Sequence, residues 1–320
     1  MPGSYAHISA VNIASEKRRL ARVKNFPREA IDAANLNVNF LELGCISPDY
    51  PYLDIASGDS KQWADAMHYS HTGPAIYAGA ELVRSLPAGR VKEKCLAWLM
   101  GYTAHVVTDM CVHPVVELKV GPYKGNETAH RRCEMHQDAY IFRRMGTGMP
   151  QTADHLKATI LTCGDKADPN QLDPDIRNLW QDLLKRVHPR DFQEDPPDMN
   201  KWHRRCCSIL QKLLPTSSRL VGFARHACDD KGLLYPTPAK IDKQEFIDAL
   251  LVPSVLGQER RMKYDDIFDF AIESVQREWL EVARYALGLA DQISFRNDEW
   301  DLDTGRNKLA GNKLVFWEVA

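Results

Sequence analysis

The sequence lacks an excess of charge of either sign. Its 320 residues include 41 Lys and Arg against 43 Asp and Glu, for a net charge of -2. Such a balance gives no positive electrostatic potential to attract a nucleic-acid backbone. A dedicated DNA-binding protein and a stable nucleic-acid complex are therefore disfavoured. Any acidic substrate must therefore be held by a local device rather than by a broad basic surface.

The chain also lacks a run of 18 or more apolar residues, which argues against a transmembrane helix. Its first residues, MPGSYAHISAVNIASEKRRLARVK, do not follow the order of a signal peptide, in which basic residues precede apolar and then small ones. We therefore expect a cytoplasmic protein, or one exported by a route that needs no cleaved signal, as a secreted effector would be.

Cysteine pairs of the metal-binding kind are missing as well. None of the eight cysteines forms a C-x-x-C, and the only close pair, Cys206–Cys207, is adjacent in the chain, which suits neither a zinc clamp nor an easy disulfide. Free buried thiols are the expected state of these residues. A metal site built on cysteine is therefore disfavoured.

Strand-like alternation is absent, whereas apolar residues recur with helical spacing along most of the chain. The sequence predicts an all-α fold, a multi-helix bundle in one domain over residues 1–292. Its supporting helices would lie in residues 146–292, and an irregular tail, residues 293–320, would pack on the domain.

Two local features sharpen this prediction. Residues 44–60 are rich in Pro, Gly, Asp and Ser, which is typical of a loop. A helix over about 90–113 should end at Pro114, because the ring and the missing N–H of proline oppose continuation.

Three ionisable side chains recur at four-residue steps in the apolar segment GYTAHVVTDMCVHP, residues 101–114. Because each residue of an α-helix turns by about 100°, His105, Asp109 and His113 fall on one stripe within an arc of about 80°. Unpaired charge among apolar neighbours is costly. A structural ion pair between His105 and Asp109 would account for those two residues alone.

The next helix repeats the pattern, since AHRRCEMHQDAY places His130, Glu134 and Asp138 at the same step. Two neighbouring stripes of imidazole and carboxylate are the ligand set that zinc takes when no cysteine is available. Seven of the 11 histidines lie within the first 136 residues. Further candidate ligands lie upstream: His7, Asp49, His68 and His71. The clustering predicts a metal-ligand half in residues 1–145.

These two segments, together with SPDYPY and MHY, resemble the zinc-dependent phospholipase C family over roughly residues 5–140. That family includes bacterial phosphatidylcholine-preferring enzymes and the N-terminal domain of glycosylphosphatidylinositol-specific phospholipase D. The fungal single-strand-specific zinc nucleases share its fold. The resemblance implies two or three zinc ions, as a trinuclear centre in its full form.

The resemblance also implies which residues hold each ion. The first would be held by Asp49, His68, His105 and Asp109, the second by His113, His130 and Glu134, and the third by Asp109, His7 and the amine of Pro2. In the family, the exposed first residue lies five positions before the first ligand histidine, and Pro2 has this spacing from His7. We therefore expect Met1 to be removed. His71 and Asp138 are left as residues that would support the ligands.

The implied reaction is hydrolysis of a phosphodiester by a zinc-activated water, with Asp49 orienting the water or acting as base. The preferred substrate is a phospholipid, reached by peripheral membrane contact and cleaved to diacylglycerol and a phosphorylated head group. Aromatic side chains near the ligands could receive a choline group or a nucleobase, or could simply pack. These side chains are Tyr5, Tyr50, Tyr52, Trp63 and Tyr69.

Two alternatives remain open. A zinc-dependent single-strand nuclease, or another phosphodiesterase, would use the same ligands on a different substrate. A non-catalytic helical scaffold stabilised by zinc would need one closed site, which is usually four-coordinate and often rich in cysteine. The candidate ligands here are too many for one such site.

Overall fold

The computed structural model describes residues 3–54, 58–146, 154–212, 235–253 and 259–317. The fold is all-α with small sheets, which confirms the predicted fold class. The α-helices of this part of the chain are α1 (Ser4–Ala14), α2 (Lys17–Leu20), α3 (Arg28–Leu36), α4 (Val38–Ile46), α5 (Gly58–Tyr69), α6 (Thr72–Ser85), α7 (Arg90–Val120), α8 (Glu127–Ile141), α9 (Asp154–Ile160), α10 (Pro174–Val187), α11 (Pro189–Glu194), α12 (Met199–Lys212), α13 (Lys243–Phe246) and α14 (Tyr264–Ala286).

Short 3-10 helices and short antiparallel strands connect these helices. The 3-10 helices are Ser47–Leu53, Phe142–Met145, Leu161–Cys163 and Pro238–Lys240. The strands are β1 (Leu250–Val252), β2 (Arg260–Met262), β3 (Trp300–Asp301), β4 (Arg306–Asn307) and β5 (Lys313–Leu314). β1 pairs with β2, and β3, β4 and β5 form one sheet in that order, with Trp300 opposite Asn307 and Arg306 opposite Leu314.

Helix α7 is the centre of the core. It is buried continuously from Cys95 to Val116 and packs against α3, α4, α6 and α14. By length and composition α7 is apolar enough to cross a membrane, but its most apolar stretch is entirely buried inside the fold. The position of α7 among four neighbouring helices accounts for its apolar composition.

Two glycines set how closely α4 approaches α7. A β-carbon added at Gly101 would lie 2.0 Å from the carbonyl oxygen of Leu41, and one added at Gly44 would lie 2.0 Å from that of Trp98. Any larger residue at either position would push the helices apart. This close approach brings the backbone of α4 within reach of the polar stripe on α7.

The predicted helix end at Pro114 is wrong, because α7 continues through this residue to Val120 and ends at Gly121, which has a φ of +88°. A proline inside a helix removes one hydrogen bond and costs about 3 kcal/mol. The segment around Pro114 is buried on all sides, so its packing outweighs this cost. His113 therefore lies inside α7, about two turns before its end, rather than at a helix terminus.

The predicted loop over 44–60 also differs from the structure. Its middle forms the 3-10 helix Ser47–Leu53, and α5 begins at Gly58 and carries His68 in its last turn. The predicted irregular tail contains the sheet of β3, β4 and β5. This tail packs on the domain: the indole N–H of Trp317 donates to the carbonyl of Cys111 in α7 at 2.9 Å.

Candidate metal centre

Helix α7 carries the first two side chains of the site on one buried stripe. His105 and Asp109 lie one turn apart and are fully buried. The Nδ1–H of His105 donates to the carbonyl of Cys45, 2.9 Å away, across the close contact between α4 and α7. This hydrogen bond fixes the tautomer, so the Nε2 lone pair of His105 is the one available to a metal.

A second imidazole meets the first from helix α5. The Nδ1–H of His68 donates to the carbonyl of Ala64 at 2.7 Å, which leaves the lone pair on its Nε2. The Nε2 atoms of His68 and His105 lie only 3.2 Å apart. Two lone pairs at that distance repel each other unless a cation, a proton or a metal ion, lies between them. The two histidines are therefore arranged as ligands of one metal ion would be.

Two carboxylates stand beside these imidazoles at distances that fit zinc. Asp49 Oδ1 lies 3.5 Å from His68 Nε2. Asp109 Oδ2 lies 3.5 Å from His105 Nε2 and 4.0 Å from His68 Nε2. Tetrahedral zinc with ligand atoms at about 2.0–2.2 Å holds those atoms about 3.3–3.6 Å from one another. Four side chains of suitable chemistry thus already stand near the spacing of one zinc ion.

The other oxygen of Asp109 faces a third histidine. Asp109 Oδ1 lies 3.2 Å from Nε2 of His7, whose ring stacks on that of His105 with centroids 4.1 Å apart. Among the described residues, both ring nitrogens of His7 and both oxygens of Asp49 and Asp109 are buried without a hydrogen-bond partner. Asp109 could therefore bridge two ions. We name the group the Asp109 cluster: His7, Asp49, His68, His105 and Asp109.

Asp138 lies behind this cluster and holds helix α1 in place. Its carboxylate accepts hydrogen bonds from the backbone N–H of Ala6 at 3.0 Å and from the hydroxyl of Tyr235 at 3.0 Å. The N–H groups of a first helical turn need such partners, and α1 has no capping side chain of its own. Asp138 thereby fixes the turn that presents His7. The predicted ligand Pro2 lies outside the described residues.

His113, His130 and Glu134, which the family resemblance assigns to a second ion, are named the His113 cluster. The Nδ1–H of His113 donates to the carbonyl of Leu302, which leaves Nε2 as its ligand atom. The Nε2–H of His130 donates to the carbonyl of Gly121 at 2.7 Å, and its Nδ1 lies 3.8 Å from Glu134 Oε1. All three side chains are buried. Over the described residues, only members of the Asp109 cluster form groups of three ligand atoms within 4.8 Å of one another.

Burial sets the protonation state of the Asp109 cluster. It lowers the pKa of His7 and of His105 to about 4, against the opposing charge of nearby carboxylates. It raises the pKa of Asp109 to about 7. At His68 burial acts to lower the pKa, but the carboxylate of Asp49, 3.5 Å away, outweighs it and the pKa is raised. Because zinc binds neutral imidazole, His7 and His105 are ready ligands at neutral pH.

Four of the aromatic side chains predicted to meet the substrate lie in the core, each at most 5% exposed: Tyr5, Tyr50, Tyr52 and Trp63. They pack in the core as deeply as the residues of the Asp109 cluster do, and their contact with substrate stays a prediction. The hydroxyl of Tyr52 donates to Asp65 at 2.7 Å, and the indole N–H of Trp63 donates to the carbonyl of Asp195 at 3.0 Å. Tyr69, in contrast, is half-buried.

His71 is not among the residues that the two clusters bring together. It lies in the turn before α6 with a φ of +55°, it is half-exposed, and its Nδ1 lies 2.8 Å from Glu299 Oε1. The sequence also missed the main-chain carbonyls that orient the ligand histidines. These belong to Cys45, Ala64, Gly121 and Leu302. A carbonyl is present at every residue and therefore leaves no signal in a sequence.

Comparison with known proteins gives one match. The model of a family described as zinc dependent phospholipase C matches residues 6–190, more than half of the chain. The match spans every member of both clusters and confirms the resemblance predicted from the sequence. No curated protein and no solved structure matches the chain.

Proposed function

Because the chain belongs to the zinc-dependent phospholipase C family, we propose that it hydrolyses the phosphodiester of a phospholipid to diacylglycerol and a phosphorylated head group. The observation that best supports this is the Asp109 cluster, in which buried carboxylates and imidazoles converge. Within it, the carboxylates of Asp49 and Asp109 and the imidazole of His7 have no hydrogen-bond partner among the described residues. The two clusters together exceed the four ligands of a closed structural zinc site. A catalytic centre explains the surplus better than a scaffold does.

The residues of the Asp109 cluster fit zinc, and each has a defined part in the proposal. Zinc supplies Lewis-acid stabilisation of the charge on phosphoryl oxygens when it is bound. The carboxylate of Asp109 would hold two groups of histidines at a fixed separation through its two oxygens. The carbonyls of Cys45 and Ala64 keep the imidazoles in the tautomer that exposes Nε2.

Asp49 is the side chain best suited to handle the attacking water. Burial acts to raise its pKa, but the imidazole of His68, 3.5 Å away, and the other neighbouring histidines outweigh it and lower the pKa, so the carboxylate is ionised at neutral pH. Its Oδ2 is buried and has no hydrogen-bond partner among the described residues. Such an oxygen can orient a water molecule and accept its proton as the phosphorus is attacked.

A phospholipid is favoured over nucleic acid on electrostatic grounds. A single lipid phosphodiester needs only a local cationic site, whereas a nucleic-acid strand is usually tracked by a positively charged groove. The net charge of -2 offers no general basic field of that kind. The proposal therefore includes contact with a membrane surface, with α7 remaining in the core of the protein.

A direct comparison of two substrates tests the proposal. Zinc-loaded protein is incubated with phosphatidylcholine vesicles and, separately, with single-stranded DNA, and the release of phosphorylated head group and of nucleotides is measured. We expect head-group release that stops after treatment with a chelator and returns when zinc is added. DNA cleavage without lipid turnover would establish the nuclease alternative instead, and zinc-loaded protein active on neither substrate would contradict the proposed reaction.

A further inference from the structure

Residues 298–317, here named the strap, contact ligand residues of both clusters through one main-chain position. The carbonyl of Leu302 accepts the hydrogen bond from His113 Nδ1, and the N–H of Leu302 donates to the backbone carbonyl of His68 at 3.2 Å. His113 belongs to α7 and His68 to α5. We propose that the strap is a positioning element of the metal centre, with Leu302 setting the orientation of His113 and the separation of the two helices.

The strap also forms hydrogen bonds with Tyr69, the residue that follows His68. The hydroxyl of Tyr69 donates to Asp303 Oδ2 at 2.8 Å, and the ammonium of Lys308 donates to the carbonyl of Tyr69 at 2.9 Å. Both contacts are made by residues that follow Leu302 in the strap. The end of α5 is therefore held to the strap by more than one hydrogen bond.

Against α7 the strap makes a close backbone contact. Gly305 has a φ of +67°, and a β-carbon added to it would lie 2.4 Å from Cγ of Pro114 and 2.6 Å from the carbonyl oxygen of Met110. This contact is on the turn of α7 that carries His113. Only glycine lets the strap lie flat at this point, so the position of Leu302 relative to His113 depends on Gly305.

Anchors outside the clusters keep the strap in place. The hydroxyl of Thr72 donates to the carbonyl of Trp300 at 3.0 Å and accepts from its N–H at 2.7 Å, and both residues are buried. The strap lies beyond residues 6–190, which the family model matches. Residues that hold the second nitrogen of a ligand histidine typically contribute 10–100-fold to metal affinity. The expected function of the strap is thus to tighten zinc binding by the His113 cluster.

A pair of glycine variants tests this inference, which rests on the zinc centre of the proposed function. Gly305→Ala pushes the strap away from α7, whereas Gly311→Ala introduces a side chain at the same φ of +67° with none of the described residues within 4 Å. Zinc affinity is measured by competition with a chromophoric chelator, and zinc stoichiometry by elemental analysis. Helix content and the thermal unfolding midpoint of the zinc-free protein are recorded for each variant.

We expect Gly305→Ala to weaken the most weakly held zinc by about 10–100-fold, while Gly311→Ala stays within about twofold of the unmodified protein. A strap with a purely structural role would lower the unfolding midpoint and leave zinc affinity unchanged, and that result would overturn the inference. If the unmodified protein binds no zinc, the proposed function fails together with it. If zinc binds equally well to all three proteins, only the inference about the strap fails.

If the Gly305→Ala protein does not fold, Thr72→Val tests the same inference, again by its zinc affinity. It removes the two hydrogen bonds to Trp300 without placing any atom against α7. Thr103→Val is its control, because Thr103 is also buried but its hydroxyl donates to the carbonyl of Leu99 within α7. We expect weaker zinc binding in Thr72→Val only. Equal affinity in the two valine variants would overturn the inference.

Discussion

The Asp109 cluster and the His113 cluster share helix α7 but differ in how closely their ligand atoms approach. In the Asp109 cluster, His68 and His105 bring their nitrogens within 3.2 Å, and the carboxylates follow at 3.5 Å. In the His113 cluster, the nitrogen of His130 and the oxygen of Glu134 lie 3.8 Å apart within one helix. The ligand atoms of the first cluster have the spacing of a zinc site, whereas those of the second form no such group among the described residues.

The difference follows from what surrounds each cluster. The Asp109 cluster lies where α1, α5 and the Ser47–Leu53 segment meet the middle of α7, and the packing of buried helices fixes its ligands. The His113 cluster combines one residue of α7 with two of α8, and Gly121 and the strap supply its hydrogen-bond acceptors. We infer that the Asp109 cluster is preorganised by the core, whereas the His113 cluster depends on peripheral segments.

The largest expected effect is that of Asp109→Ala, which removes the carboxylate that both halves of the Asp109 cluster share. His7 and His105 would lose the carboxylate that lies beside both of them. We expect turnover to fall by about 10³-fold or more and zinc content to fall by at least one ion. Both are measured on purified protein, by head-group release and by elemental analysis.

Glu42→Gln is the matched control for that variant. Glu42 is likewise a fully buried carboxylate, but it accepts hydrogen bonds from Asn12 at 2.6 Å and His155 at 2.8 Å, away from the clusters. It should keep its zinc and most of its turnover. An Asp109→Ala protein that is zinc-replete and fully active would refute the assignment of the cluster.

The contrast between the clusters also shows which contacts of the site can be predicted from the sequence. The four-residue step that links His105, Asp109 and His113 is visible because helical periodicity is regular and local. The meeting of His7 with Asp109 is not local, since it depends on how α1 packs on α7. Only the family resemblance pointed to it before the fold was known.

Two features of the structure could not be predicted from the sequence, for physical reasons. The extension of α7 past Pro114 was missed, because a local rule about proline cannot weigh the packing of a fully buried helix. The role of Leu302 was missed because a main-chain carbonyl has no residue type. It also lies 189 positions from His113, so no spacing rule relates the two.

A smaller effect is expected from His130→Ala, which opens the His113 cluster and leaves the Asp109 cluster complete. We expect the loss of about one zinc ion and a decrease in turnover of about 10²-fold, because one source of charge stabilisation is removed. His136→Ala is the control on the same helix, since its ring packs on Phe246 outside both clusters. Equal zinc content in the two variants would contradict the assignment of His130.

The smallest expected effect is the pH dependence of zinc binding to the Asp109 cluster. Burial raises the pKa of Asp109 to about 7, so in the zinc-free protein this carboxyl is protonated at about pH 6 and must lose its proton when zinc binds. His7 and His105, with pKa values of about 4, are neutral at that pH and release none. Zinc affinity of the Asp109 cluster should therefore rise by about tenfold or more per pH unit up to about pH 7.

Titration calorimetry on His130→Ala measures this release, because zinc can then enter only the Asp109 cluster. The heat of binding at about pH 6 is compared in two buffers with different ionisation enthalpies, and its difference counts the protons released. We expect at least one proton per zinc, since the raised pKa of His68 adds to that of Asp109. The same count at about pH 8 should fall, because Asp109 is already ionised there. A count of zero protons at about pH 6 would mean that Asp109 does not bind the ion. Proton release would then no longer support the distinction between a preorganised Asp109 cluster and a peripheral His113 cluster.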